Sequence, residues 1–474
     1  VSEESAAFSP AEQALREQIE RELTLLEYPK RAWLAPRTTA EGAPILDVAI
    51  VGAGQGGLAA AFGLLRERVS NVRVFDQNAL DRAGPWLSFA RMHTLRTPKH
   101  VSGPDLGVPS LTPRAYFEAL HGPGSWERLG LIPKQTWAEY LSFYRRALGL
   151  SVQADTQVGA LRWDASARAF RLPCTRQGQL EYVYARRVVL ATGIEGSGAW
   201  EIPALIRERL PARLYAHTRD AIDFEALRGK RVAVLGAGAS AFDNAAVALE
   251  HGAREVHLFF RRDRLVQVNP YRWAEFVGFL RHHGDLDDAD KYRFIAQLLR
   301  MGQLPPSDTY ARATAHPSFT LHPGSQWQQL EARGDVVLLD TNQRRFELDF
   351  VIVGTGFVTD LKLRPELVEL EPQIARWHER YQAPAAERNA DLDRHPYLGS
   401  GFEFREREPG TAPHVSFVFN YTFGGLLSLG FGGASISGMK YSIPRLVAGI
   451  TGSLFREDAA EHYASLCNFN EREF

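Results

Sequence analysis

Two short runs in this sequence have the residue types and spacing to hold phosphates. The first is VAIVGAGQGG (48–57) and the second is VAVLGAGASA (232–241). Each is an apolar strand, a glycine turn and an Ala-rich helix, followed by a second strand, VRVFD (72–76) or VHLFFRR (256–262). In such a turn the first glycine (Gly52, Gly236) permits the sharp bend, and the second (Gly54, Gly238) lets backbone approach a pyrophosphate. The third small residue, Gly57 or Ala241, lets helix and strand pack closely, and Ser240 stands just before Ala241. The helix then aims unpaired N–H groups and its positive dipole end at the phosphates. Asp76 closes the first unit's second strand, where a carboxylate takes the ribose hydroxyls of an adenosine, with Gln77 beside it. The second unit ends in Arg261 and Arg262, guanidinium forks suited to a 2′-phosphate. That points to NADPH over NADH at the second site, and two dinucleotide sites on one chain imply hydride transfer from nicotinamide to a flavin, FAD, at the first.

The electrons then need an acceptor. Disulfide reductases carry them on a redox-active cysteine pair. This chain has 2 cysteines, Cys174 and Cys467, far apart and in no C-x-x-C spacing. Molecular oxygen is the remaining acceptor, with an organic substrate taking one oxygen atom. There is no G-x-S-x-G elbow and no H-E-x-x-H, so hydrolase chemistry has no support. His282 and His283 lie near Asp285 and Asp287, but the charged loop composition predicts a solvated surface, and no metal site is expected.

The elements that must position these groups follow the same duplication. Downstream of each glycine unit is an apolar strand ending in Thr-Gly: VVLATG (188–193), with Thr192 and Gly193, and FVIVGTG (350–356), with Thr355 and Gly356. Strand-like alternation precedes each, over 161–187 and 336–348. The fold class is therefore α/β: two Rossmann-like dinucleotide-binding domains, an FAD domain with an inserted NADPH domain, each with a small antiparallel meander. The expected boundaries are a helical extension over 1–43, the FAD domain over 44–200 and 349–474, the latter part carrying substrate-site segments, and the NADPH domain over 201–348. Ser9, Pro10 and Glu12 read as a capping box, and Leu15, Ile19, Leu23 and Leu26 as one face of a docking helix. Trp137, Tyr140, Leu141, Tyr144 and Leu148 form a helical core stripe, 373–394 reads as a charged surface excursion, and the Gly/Ser-rich 422–438 as backbone held close to a ligand or to other backbone.

The start of the sequence is acidic, Glu3 and Glu4, with no signal-peptide pattern and nowhere a membrane-length apolar run. Two isolated thiols suit the cytoplasm. The net charge of −1 gives no field for nucleic acid. A homo-oligomer is left open.

As a set, Gly52–Gly57, Gly84 to Trp86, Thr192 and Gly193, His217 and Thr218, Gly236–Ala241, Arg261 and Arg262, and Gly354–Phe357 resemble the class B flavoprotein monooxygenases, over nearly the whole chain from Ile45 to about Leu454. Departures lie at Pro211 and Arg213, where the monooxygenase fingerprint ending at His217 has Phe and Gly, and at Ala221, where Baeyer–Villiger members carry Trp. Arg91, Met92 and His93, the aromatic helix over 132–144, Asn269, Asn420 and Thr422 are similar to the microbial N-hydroxylase branch. The resemblance implies an NADPH-reduced FAD, a flavin hydroperoxide, and oxygenation of a small amine or heteroaromatic nitrogen compound. It implies Trp86, Met92, His93 and Leu427 near the flavin, His217 beside the nicotinamide, and His93, Arg96 and Lys99 as site groups. Lys99 is an approximate counterpart of that branch's amino-acid-binding lysine. An NADPH:acceptor reductase and a Baeyer–Villiger or S-oxygenating enzyme are the alternatives.

Overall fold

The fold was analysed in a computed structural model, which describes residues 7–101 and 103–474; Glu3 and Glu4 lie outside them. The Pro10–Leu25 helix starts at the expected capping box: Ser9 Oγ accepts from Glu12 N at 3.3 Å and Ser9 N donates to the Glu12 carboxylate at 2.9 Å. Leu15 and Ile19 are buried against the body, Leu26 is exposed, and the Glu22 carboxylate accepts from Ser110 N and Oγ at 2.9 and 2.7 Å. The extension is thus docked by one apolar face and fixed by specific polar ties.

Five parallel strands form the first sheet, in the order Val152–Gln153, Val72–Phe75, Pro44–Val51, Gln179–Gly193 and Val418–Thr422. The early part of Gln179–Gly193 turns back antiparallel on Ala169–Arg176, which also pairs with Thr156–Val158 and Arg162–Asp164. This is the expected first meander. Helix Gln55–Arg66 covers the sheet and meets the Met439–Glu457 helix; a Cβ on Gly63 would stand 2.6 Å from Val447 Cγ2, so the missing side chain sets their approach. The aromatic stripe of Lys134–Ala147 is core, with Trp137, Tyr140 and Tyr144 buried.

A second five-stranded parallel sheet runs Tyr215–His217, Phe350–Val353, Arg231–Leu235, Glu255–Phe259, Phe319–His322. Its meander is Trp327–Arg333, Val336–Thr341 and Arg345–Leu348. The expected boundary at 348 needs correction. Phe350–Val353 is hydrogen-bonded between two strands of the second sheet, so the chain crosses back only after it. The crossing is a two-stranded antiparallel ribbon of Gly198–Trp200 and Phe357–Thr359.

Two further expectations hold only in part. The middle of the 373–394 segment, 378–391, is exposed or half-buried, but its ends are not: Ile374, Trp377 and Leu392 are buried, and Trp377 packs with Tyr292, Leu427 and Phe431 in one apolar cluster. Its turns are too short and irregular to show a period. His283 is likewise 1% exposed, whereas His282 is exposed and bonded to Asp285 at 2.9 Å. Among the described residues no group of three or more His, Cys, Asp or Glu is placed to hold a metal, and no helix is long and apolar enough to cross a membrane.

Candidate functional site: two glycine cradles

The two glycine turns are locked to the Thr-Gly strand ends. Gly52 has φ +108°, and a Cβ there would lie 2.5 Å from the Ala191 carbonyl oxygen. Gly236 has φ +124°, and its Cβ would lie 2.2 Å from the Gly354 oxygen. Any side chain at either position collides with backbone. The third positions differ. A Cβ on Gly57 would sit 1.9 Å from the Gly52 oxygen, so glycine is obligatory there. Ala241 carries its Cβ buried, and the close approach is transferred to Gly354, whose own Cβ would meet the Ala241 methyl at 2.8 Å.

The middle glycines are opposite in character. Gly54 (φ −70°, ψ −177°) and Gly238 (φ −76°, ψ 171°) have backbone that any residue adopts, and a Cβ on either would meet no protein atom within 4 Å. Protein packing does not require glycine there; a group lying on the backbone does. The helices Gln55–Arg66 and Ala239–Glu250 begin at these glycines with no side-chain cap, leaving their first N–H groups directed at the same space. Each cradle fits a dinucleotide pyrophosphate.

Asp76 is 8% exposed and already engaged: one oxygen accepts from Ala53 N at 2.8 Å, the other from Asn78 N and Nδ2 at 2.8 and 3.1 Å. It braces the glycine turn from beneath, burial pushes its carboxyl up, and Gln77 is exposed beside it. Arg262 is spoken for, its guanidinium donating to the carbonyls of Met301 and Arg300 at 3.1 Å each, so it closes the end of the Asp288–Met301 helix. Arg261 is exposed. Ser240 is exposed on the first turn of the Ala239–Glu250 helix.

At the crossing ribbon, His217 is 1% exposed and burial depresses its pKa. Arg219 N donates to its Nδ1 at 3.2 Å, so the proton is on Nε2, which donates to the Gly356 carbonyl at 3.1 Å. Thr355 Oγ1 donates to the Glu201 carbonyl, and Trp200 packs on His217 with ring centroids 5.2 Å apart. Thr192 Oγ1 is buried without a hydrogen-bond partner beside Gly193.

The 84–101 stretch connects the two units. Trp86 is buried edge-on to Trp137 and walls a cavity of about 260 Å³ with Ala53, Leu58, Ala83 and Leu141, at the first glycine turn. Met92 packs half-buried on the core, and His93 is exposed. Arg96 reaches across to Asp243, 2.7 Å away on the Ala239–Glu250 helix, where Thr309 Oγ1 also donates to that carboxylate at 2.8 Å. Arg91 donates to the Asp220 carbonyl at 3.0 Å. Lys99 donates to the carbonyls of Trp126 and of Leu129, the latter at 2.6 Å, and lies over the Trp126 ring. Thus Arg96 is a clamp between the units and Lys99 a tie within the first. Leu427 is fully buried in the 422–438 segment. Sequence reasoning missed Asp243 and Trp200; only Asp243, an acid amid the alanines of the Ala239–Glu250 helix, left a signal.

Residues 46–283 match the pyridine nucleotide-disulphide oxidoreductase family. The FAD-dependent urate hydroxylase of Xanthomonas campestris pv. campestris is 44% identical over 460 residues, covering 97% of this chain and 96% of that protein. Ornithine hydroxylase from Pseudomonas aeruginosa superposes with a TM-score of 0.68 at 14% identity, over 86% of this chain and 100% of that one. L-lysine 6-monooxygenase from Pseudomonas syringae gives 0.65 at 17% identity, over 86% and 100%. Despite the family's name, Cys174 is buried in the first meander and Cys467 exposed near the C-terminus, with no dithiol at the cradles. The chain belongs to the pyridine nucleotide-disulphide oxidoreductase family, and it shares one family with the FAD-dependent urate hydroxylase that it matches over nearly its whole length.

Proposed function

We propose that the chain is an FAD- and NADPH-dependent monooxygenase that hydroxylates a planar nitrogen heterocycle of the urate type. The observation that carries this is the pair of cradles, each with a middle glycine facing space that the protein itself leaves open. The 44% identical relative, an FAD-dependent urate hydroxylase, supports the substrate class.

On this reading Gly52, Gly54, Gly57 and the start of the Gln55–Arg66 helix hold FAD, with Asp76 bracing the turn and Trp86 walling the neighbouring cavity. Gly236, Gly238, Ser240 and Ala241 hold the NADPH pyrophosphate, and Arg261 meets the 2′-phosphate, since Arg262 is committed to a helix end. Reduced FAD supplies the two electrons by which substrate, O₂, NADPH and a proton become hydroxylated product, NADP⁺ and water. The protein's own work is orientation and exclusion of water. His217, its proton fixed on Nε2, holds the Gly356 carbonyl at the ribbon between the cradles. Arg96 with Asp243 holds the two units in one arrangement. Lys99, tied to main-chain carbonyls, argues against an ornithine- or lysine-like substrate held at that position.

The partners are a small molecule and oxygen; the net charge of −1 gives nucleic acid no field to follow, and free thiols at Cys174 and Cys467 suit a cytoplasmic setting. The test is NADPH oxidation with urate, ornithine and lysine in turn, with peroxide measured alongside. Urate should accelerate NADPH loss with little peroxide. Acceleration by ornithine or lysine alone would overturn the substrate class, and peroxide equal to NADPH with every compound would overturn the monooxygenase.

A further inference from the structure

The Phe423–Gly430 loop leaves the C-terminal end of the Val418–Thr422 strand, on the same sheet edge as the Gly52–Gly57 turn. Within it Ser428 is the one hydrogen-bonding side chain: its Oγ accepts from Trp377 Nε1 at 2.9 Å and from Leu398 N at 3.1 Å. Ser428 Oγ also donates to the Pro396 carbonyl at 3.4 Å, and Gly424 N donates to Thr422 Oγ1 at 3.1 Å. Two further ties come from buried imidazoles in separate parts of the chain. His395, 3% exposed, puts Nδ1 3.2 Å from the Gly424 carbonyl oxygen. His283, 1% exposed, puts Nε2 3.2 Å from the Leu427 carbonyl oxygen. A carbonyl only accepts, so each ring carries a proton on the nitrogen that faces it. The two rings are therefore opposite tautomers. His283 Nδ1 is buried with no partner, as befits the bare nitrogen of a neutral ring. Gly430, at φ +75°, makes room for this ring; a Cβ there would stand 3.1 Å from it.

We infer that His283 and His395 are positioning residues that pin the Phe423–Gly430 loop, through the Leu427 and Gly424 carbonyls, over the sheet edge where the first cofactor is held. The cofactor's part in this inference rests on the flavin monooxygenase reading. The geometry dictates which amide can stand in for each ring. A Gln amide nitrogen reaches about as far as Nε2, an Asn amide nitrogen about as far as Nδ1. His283→Gln and His395→Asn therefore keep the donor; His283→Asn and His395→Gln misplace it.

The test is hydrogen exchange of the 423–430 peptide in these four variants of the full chain. The two donor-keeping variants should exchange as wild type, and the two misplaced ones about tenfold faster, the scale of one lost buried hydrogen bond. With FAD and NADPH present, the misplaced variants should release a severalfold larger share of NADPH as peroxide, at a similar rate of NADPH oxidation. Equal exchange in all four variants, or the reverse ranking, overturns the assignment. If wild type gives no oxygenated product at all, the monooxygenase reading falls while the exchange ranking still decides the pinning. Should variants fail to fold, ¹⁵N-histidine spectra of the intact wild type decide it. His283 protonated on Nε2 and His395 on Nδ1 are expected, and either ring in the other tautomer refutes it.

Discussion

Replacing Gly54 and Gly57 by alanine, one at a time, separates the fold from the cofactor. At Gly57 the new methyl would sit 1.9 Å from the Gly52 oxygen and 3.0 Å from its carbon, so backbone must move inside a packed helix–strand contact. Such overpacking costs about 1–3 kcal/mol or more, and the apo protein should melt several degrees lower. At Gly54 the backbone is already ordinary and the methyl meets nothing within 4 Å. Restricting the unfolded chain should stabilise apo Gly54→Ala by about 0.4–1 kcal/mol. Yet the methyl fills the space assigned to the pyrophosphate, and FAD affinity should fall at least about tenfold, a loss of ~1.4 kcal/mol. Thermal melts of apo protein and FAD titrations by flavin fluorescence measure both quantities. Wild-type FAD affinity in Gly54→Ala, or a Gly57→Ala as stable as wild type, would refute the reasoning.

Other consequences are as direct. Arg261→Ala should cut the NADPH-over-NADH preference about ten- to a hundredfold, the scale of a charged hydrogen bond, whereas Arg262→Ala should lower the melting temperature by freeing the Arg300 and Met301 carbonyls; paired kinetics and melts check this. Lys99→Ala should destabilise the fold and leave substrate KM unchanged, because Lys99 serves the Trp126 and Leu129 carbonyls. Burial holds His283, His322 and His395 down at about 4, against 6.5 when unfolded. The unfolded chain binds protons first as pH falls, so stability drops across the window from 6.5 to 4, by about 2 kcal/mol per histidine between pH 7 and pH 5; urea midpoints at the two pH values measure it.

What could be read in the sequence was what is local. A strand, a glycine turn and a helix follow one another directly, over 44–66 and 231–250, and their steric demands are visible at Gly52, Gly57 and Gly236 one residue at a time. The capping box at Ser9 and Glu12 is equally local. What escaped is set by partners far along the chain. The ties of Lys99, read in the sequence as a site group, were out of sight because the carbonyls it meets lie 27 and 30 residues away. Arg261 and Arg262 were indistinguishable until the Asp288–Met301 helix end appeared beside one of them. Phe350–Val353 was placed in the wrong unit because an apolar strand does not state which sheet it joins. His283 sat in a charged stretch, and its partner is the Leu427 carbonyl, 144 residues on.

The most direct test of the central claim is turnover under ¹⁸O₂ with NADPH and urate, with the product analysed by mass spectrometry. One ¹⁸O atom per product, at one NADPH and one O₂ consumed, is predicted. Product labelled only from water, or all of the oxygen recovered as peroxide, would contradict the account.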